Sequence, residues 1–194
     1  VERTERQMRS VPSKFETREE NDELYIEGYF SVFGSIYDLW PGATESVAPG
    51  AFANTLGNDV RALIDHETRL VLGRSKAGTL ELREDSHGLW GKIRINPNDT
   101  DAMNLYNRVK RGDVDQCSFG FNIVKEDTEI REDGSVHWTI REVELFEVSV
   151  VTFPAYEETA VSARKKEYQE MERRKTEAWK AKMNERLKGA RHGT

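Results

Sequence analysis

Residues 116–122, "QCSFGFN", set a thiol and a hydroxyl side by side, and either is a nucleophile once deprotonated. Read as a strand, the segment puts Cys117, Phe119, Phe121 and Ile123 on one apolar face and Gln116, Ser118, Gly120 and Asn122 on the other. Cys117 is then a core thiol, which apolar surroundings keep protonated and inert. Ser118 points outward and is expected to be reachable, with small Gly120 nearby to admit a substrate backbone against main-chain N–H donors, the arrangement of an oxyanion hole. A serine needs a base, and histidine, which titrates near neutrality, is the usual one. Of the four histidines, His87 sits in a turn beside Gly88, His192 lies in a charged tail and His137 opens a strand. His66 is better placed, since "RALIDHETRLVLG" sets it at the end of an apolar strand, where side chains line clefts. The acid that holds the imidazole should come from elsewhere, because in an extended chain Asp65 and Glu67 point to the face opposite His66. Glu147 lies between Phe146 and Val148, an apolar setting in which a carboxylate needs a partner. That partner is an imidazole or, as a plain buried ion pair, an arginine, and Glu144 on the same strand competes for the role.

The elements that must position these groups are mostly strands. Residues 1–22 are nearly all charged or polar apart from Phe15 and are expected to form a flexible arm. "ELYIEGYFSVFG" alternates as a strand, and "DLWPGATESVAPGAF", with two Pro-Gly pairs, predicts a long loop running into a short helix near Ala51–Leu56. "VRALIDHE" and "RLVLGRS" read as two strands, and "TLELREDSHGLWGKIRIN" as a hairpin turning at Asp85-Ser86-His87-Gly88. One amphipathic helix follows: Thr100 can cap it, Ala102, Leu105, Tyr106 and Val109 recur at its spacing, and Gly112 suits the position past its end. "QCSFGFNIVKEDTEI" and "VHWTIREVELFEVSVVTF" are the last strands, and "PAYEET" closes a body expected over 23–162. Residues 163–194 read as a basic helical tail with a thin apolar stripe of Tyr168, Met171, Trp179, Met183 and Leu187.

Charge divides along the same line. From Arg164 onward eleven Lys and Arg face five Glu, a charge of +6, which leaves −12 on residues 1–163 of a chain whose net charge is −6. An acidic body argues against a nucleic-acid surface, which needs clustered Lys and Arg. A single cysteine excludes an internal disulfide framework, and the histidines show no metal-ligand spacing, so neither a metal nor another cofactor is expected. No apolar run approaches the roughly 20 residues that span a bilayer, and the first residues carry no signal-peptide segment, which predicts a cytosolic protein without a membrane partner.

Five segments in this order, "EGYFSVFG", "VAPGAF", "DHE" followed by "LGRS", "CSFGF" after a helix ending in Gly, and "LFEVSVVTFPAY", give a resemblance over about residues 24–160. The chain resembles the prohead maturation proteases of tailed double-stranded DNA phages, serine peptidases related in fold to the herpesvirus capsid protease assemblin. The resemblance implies a mainly β fold with α elements (α+β), an assemblin-like β-barrel core flanked by helices. It also implies Ser118 as nucleophile and His66 as general base. Assemblin's third member is a second histidine, whereas the matching strand here offers "ELFEVS", so the role passes to Glu147, with His137 and Glu144 as the other candidates. Gly120 and Arg74, in "LGRS", are the candidate oxyanion or substrate-binding residues. No GxSxG elbow is present, which speaks against an α/β-hydrolase. The implied function is a serine endopeptidase that cleaves the major capsid protein's scaffolding segment or a separate scaffold, and itself, inside the immature capsid in the host cytoplasm. Assemblin-like enzymes include ones that pair to become active, so a homodimer is compatible with the resemblance. The rival reading is a non-enzymatic capsid-assembly or scaffold-binding β-barrel protein.

Overall fold

Alternating burial shapes most of the chain. In a computed structural model, which describes residues 7–12, 15–153 and 158–191, eleven strands and two α-helices follow in order. The chain divides into two units, Val1–Tyr156 and Glu157–Thr194. In the first, β2 (Glu16–Glu20), β3 (Glu23–Val32), β9 (Gly88–Ile95) and β8 (Leu80–Glu84) form an antiparallel sheet in the order β2-β3-β9-β8. Ile26, Phe30, Leu80, Leu89 and Ile93 turn inward from it. The β8–β9 turn is closed by Asp85 Oδ1, which accepts from the N–H groups of His87 (2.8 Å) and Gly88 (3.1 Å). Gly88 has no alternative there, since a Cβ would lie 1.9 Å from the Ser31 carbonyl oxygen.

The second sheet has seven strands: β1 (Gln7–Pro12), β4 (Tyr37–Trp40), β5 (Ala43–Val47), β6 (Arg61–Ile64), β7 (Glu67–Arg74), β10 (Gln116–Ile130) and β11 (Val136–Val151). β11 is its hub. One edge of β11 pairs antiparallel with β10, and the other pairs in parallel with β5 over Val136–Ile140 and with β6 over Glu147–Val150. Phe119, Phe121, Ile140, Val148 and Val150 face the same core as Ile26, Phe30 and Ile93. The mainly β, α+β class expected from the sequence is the class observed. α1 (Thr100–Arg111) links β9 to β10 and buries Ala102, Leu105, Tyr106 and Val109. Its cap is Asp99 rather than Thr100: Asp99 accepts from the N–H groups of Asp101 and Ala102, and its charge suits a helix N-terminus.

Three expectations about the elements need correction. The arm is not loose over Gln7–Pro12 and Glu16–Glu20, which pair with β10 and β3. Arg9 of β1 faces inward, fully buried, and its guanidinium grips the Glu45 carboxylate through Nε to Oε1 and Nη2 to Oε2. The expected loop at 38–50 holds strands β4 and β5, with Pro41-Gly42 as the hairpin turn between them. No helix forms near Ala51–Leu56, where successive i to i+3 hydrogen bonds make a run of turns. The reason lies in β11, whose gap between β5 and β6 these turns fill: Val143 N–H bonds the Ala51 carbonyl (3.0 Å) and Leu145 N–H bonds Thr55 Oγ1 (2.8 Å).

The second unit is one helix, α2 (Glu158–Arg191). Its described side chains are mostly exposed, Trp179 to 62%, and i,i+4 and i,i+3 pairs such as Arg174–Glu170 and Lys175–Glu172 lie along it. Residues 154–157, part of the expected close of the body, and His192 lie outside the described residues.

Candidate active site

Strand alternation in β10 sends Cys117, Phe119 and Phe121 into the core and Ser118 to the other face. The register then builds rows across the sheet. Ser118 stands opposite Ser149 of β11, which stands opposite Leu63 of β6; one row along, Gly120 faces Glu147, which faces Arg61. Ser118, Ser149 and Glu147 thus share one face. That face is not open at Ser118, whose relative exposure is 0%, and this corrects the expectation of a reachable hydroxyl. β10 is flanked on both sides over Gln116–Phe121, with Ser10 of β1 and Ser149 of β11 directly across from Ser118. The main-chain groups of Ser118 and Gly120 accordingly lie in ladders rather than open to a substrate carbonyl, so Gly120 is not set as an oxyanion donor in this state.

His66 comes from the two-residue turn between β6 and β7, where Ile64 pairs with Glu67. Asp65 and His66 both have positive φ, 48° and 61°, as the tightest hairpin turns require and as Asp and His tolerate better than most side chains. Asp65 pins the turn to the end of β11. Its backbone N–H bonds the Val150 carbonyl (3.0 Å), and its carboxylate accepts from the Thr152 N–H (2.7 Å) and hydroxyl (3.2 Å). From this turn His66 Nδ1 reaches Glu147 Oε1 at 2.7 Å. The acceptor is a carboxylate, so Nδ1 carries a proton, and in the neutral ring the lone pair is on Nε2. Glu147 is 1% exposed, and its other oxygen, Oε2, accepts from the Ser149 hydroxyl at 2.6 Å. Both His66 Nε2 and Ser118 Oγ are buried and hydrogen-bonded to nothing among the described residues.

The remaining candidates separate from this group. His137 is occupied at both ring nitrogens, Nδ1 by Thr44 Oγ1 (2.7 Å) and Nε2 by Ser46 Oγ (2.9 Å), which is a structural clasp between β11 and β5. Glu144 is exposed and meets Asn122 at 3.4 Å. Arg74 stands on β7, three strands from β10, and its guanidinium is held bidentately by Asp59 (2.7 and 2.5 Å), so it is not brought to Ser118. Cys117 is buried, with Sγ 3.2 Å from the Tyr29 carbonyl oxygen. Sequence reasoning missed Asp65 and Ser149 as supports, although the spacing of Glu147 and Ser149, two apart on a strand, was a readable sign that they share a face. It also missed a cleft of about 530 Å³ on this face, floored by Leu63, Val71 and Phe146 and edged by Arg61, Asn122 and Glu147.

A mainly β chain that carries a serine, an imidazole and the carboxylate steering it on one sheet has the parts of a serine peptidase. The comparisons make the class specific: the chain belongs to the caudovirus prohead serine protease family, whose description it matches over residues 13–174. It is 31% identical over 143 residues to the prohead protease of Enterobacteria phage HK97, a match covering 72% of this chain and 61% of that protein's length. Its fold is similar to that of the bacteriophage T4 capsid assembly protease, with a TM-score of 0.51 at 11% identity, over 78% of this chain and all of the other.

Proposed function

We propose that the chain is a serine endopeptidase of prohead maturation in which Ser118 is the nucleophile, His66 the general base and Glu147 the acid that orients it. The observation that carries this reading is the His66–Glu147 hydrogen bond on a sheet whose next row holds Ser118, with Nε2 unpartnered among the described residues. In the reaction, His66 Nε2 takes the Ser118 proton as Oγ bonds the peptide carbonyl carbon, and Glu147 stabilises the imidazolium. The imidazolium then gives the proton to the amide nitrogen as the C–N bond breaks, leaving an acyl-serine. Water, deprotonated by the same nitrogen, attacks the acyl carbon, and the proton returns to Ser118 as the acid product leaves. Family membership supports a capsid protein's scaffolding segment or a separate scaffold as substrate, with self-cleavage, within the immature capsid. The burial of Ser118 means that substrate reaches it only after a local opening of this face.

Coexpression with the cognate capsid protein tests the reading. Shells formed with the native chain should contain shortened capsid or scaffold protein, and Ser118→Ala should leave them full length. A serine-reactive phosphonate should add one adduct, mapped to Ser118. Cleavage that persists in Ser118→Ala removes the nucleophile assignment, and uncleaved shells with the native chain favour the non-enzymatic assembly reading.

A further inference from the structure

Glu147 has a long side chain for a residue that must hold an imidazole in one orientation. A carboxylate fixed at one oxygen still turns about its last torsion, and each free torsion blurs the direction in which Oε1 meets Nδ1. Ser149 removes that freedom. It lies two residues along the same strand on the same face, fully buried, and donates its hydroxyl proton to Oε2 at 2.6 Å while Oε1 receives His66 Nδ1 at 2.7 Å. The two contacts fix the carboxylate plane from opposite ends. Ser149 also stands in register with Ser118, one strand away. Its single proton goes to Glu147, so it has none to offer His66.

We infer that Ser149 is a positioning residue of the site: its hydroxyl holds Glu147 so that the carboxylate keeps His66 in the tautomer and orientation that activate Ser118. The inference rests on the assignment of Ser118, His66 and Glu147 above. Supporting groups of this kind, one shell away from the reacting atoms, typically change activity by about 10–100-fold.

The test compares side chains of equal shape. Ser149→Thr keeps the hydroxyl and Ser149→Val removes it at nearly constant volume, so a packing defect affects both and the hydroxyl accounts for their difference. With a peptide substrate, Ser149→Val is expected to turn over about 10–100-fold more slowly than Ser149→Thr, with KM within about twofold. In a Glu147→Gln background the same exchange is expected to have little effect, because the group through which Ser149 acts is already impaired. Equal turnover of the Thr and Val variants overturns the inference, and so does a Thr-to-Val loss of the same size in the Glu147→Gln background, which would mean that the hydroxyl acts on something else. Phosphonate mapping separates this from failure of the underlying reading: an adduct on Ser118 with equal Thr and Val variants sinks only the positioning role, whereas an adduct on Ser149 itself sinks both.

Discussion

Two buried carboxylates stand on neighbouring strands of the seven-stranded sheet, Glu45 on β5 and Glu147 on β11, and their surroundings give them opposite uses. Glu45 faces a guanidinium, Arg9, that is buried with it, stays charged at any physiological pH and matches both carboxylate oxygens. Glu147 faces an imidazole on one oxygen and a neutral hydroxyl on the other. The first arrangement locks β1 against the core and has no free proton acceptor in it. The second leaves a basic nitrogen at the far side of a titratable ring that is still 16% exposed. A buried acid on a strand is therefore uninformative until its partner is known: a permanent cation makes it a fastener, a titratable one makes it a handle.

Exchanging the acids for amides breaks this comparison most sharply at Glu147. Glu147→Gln should lower turnover by about 10⁴-fold, since an amide favours the wrong imidazole tautomer and leaves the imidazolium without a counter-charge. Glu144→Gln should be nearly silent in the same assay, and a Glu147→Gln protein that folds and retains native turnover would make Glu147 a fastener too. At the other carboxylate the expected damage is to stability. Arg9→Met takes the buried guanidinium away from Glu45 and should cost about 3–5 kcal/mol in denaturant unfolding, whereas Arg9→Met with Glu45→Leu should recover most of that loss. Activity per folded molecule should be kept in both. A double variant as unstable as the single one would mean that the pair does more than neutralise itself.

The smallest effect is expected at an exposed pair. The hydrogen bond from Arg74, with the nearby charges of Arg61 and Arg74, holds the Asp59 carboxyl down to about 2. A depressed acid contributes stability above its unfolded-state value and loses that contribution as the pH falls through the folded one, here between about 4 and 2. Asp59→Asn should lower the melting temperature by about 1–2 °C near pH 6. The difference should shrink steeply toward pH 2 and vanish near pH 1, and a difference that does not change with pH would rule out the ion pair as its source.

Much of the candidate site's geometry was legible because its residues announce themselves locally. Ser118 and Cys117 separate by alternation, His66 ends an apolar strand, and Glu147 is conspicuous between Phe146 and Val148. What was not legible depended on a neighbour from elsewhere in the chain. Arg9 looks like one charge among many in a polar arm, and the carboxylate that matches its charge in the core, Glu45, lies 36 positions on. Arg74 follows the histidine hairpin in sequence, which suggested a place beside it, but Asp59 claims its guanidinium. Ser118 was read as open because its alternation is outward, and alternation says nothing about the strand that pairs on the free side. The turns near Ala51–Leu56 were read as a helix because their composition allows one, while the gap in β11 requires their carbonyl and hydroxyl groups to face a strand.

The hub position of β11 also sets an order of events during synthesis. His66 and Glu147 are 81 positions apart, and β6 meets β11 in parallel, a pairing that no short hairpin can nucleate. A growing chain that has not yet delivered residue 147 holds its imidazole without an acid and its serine without the strand opposite. The group proposed here, Ser118, His66 and Glu147, is thus brought together only by one of the last strands of the body to emerge.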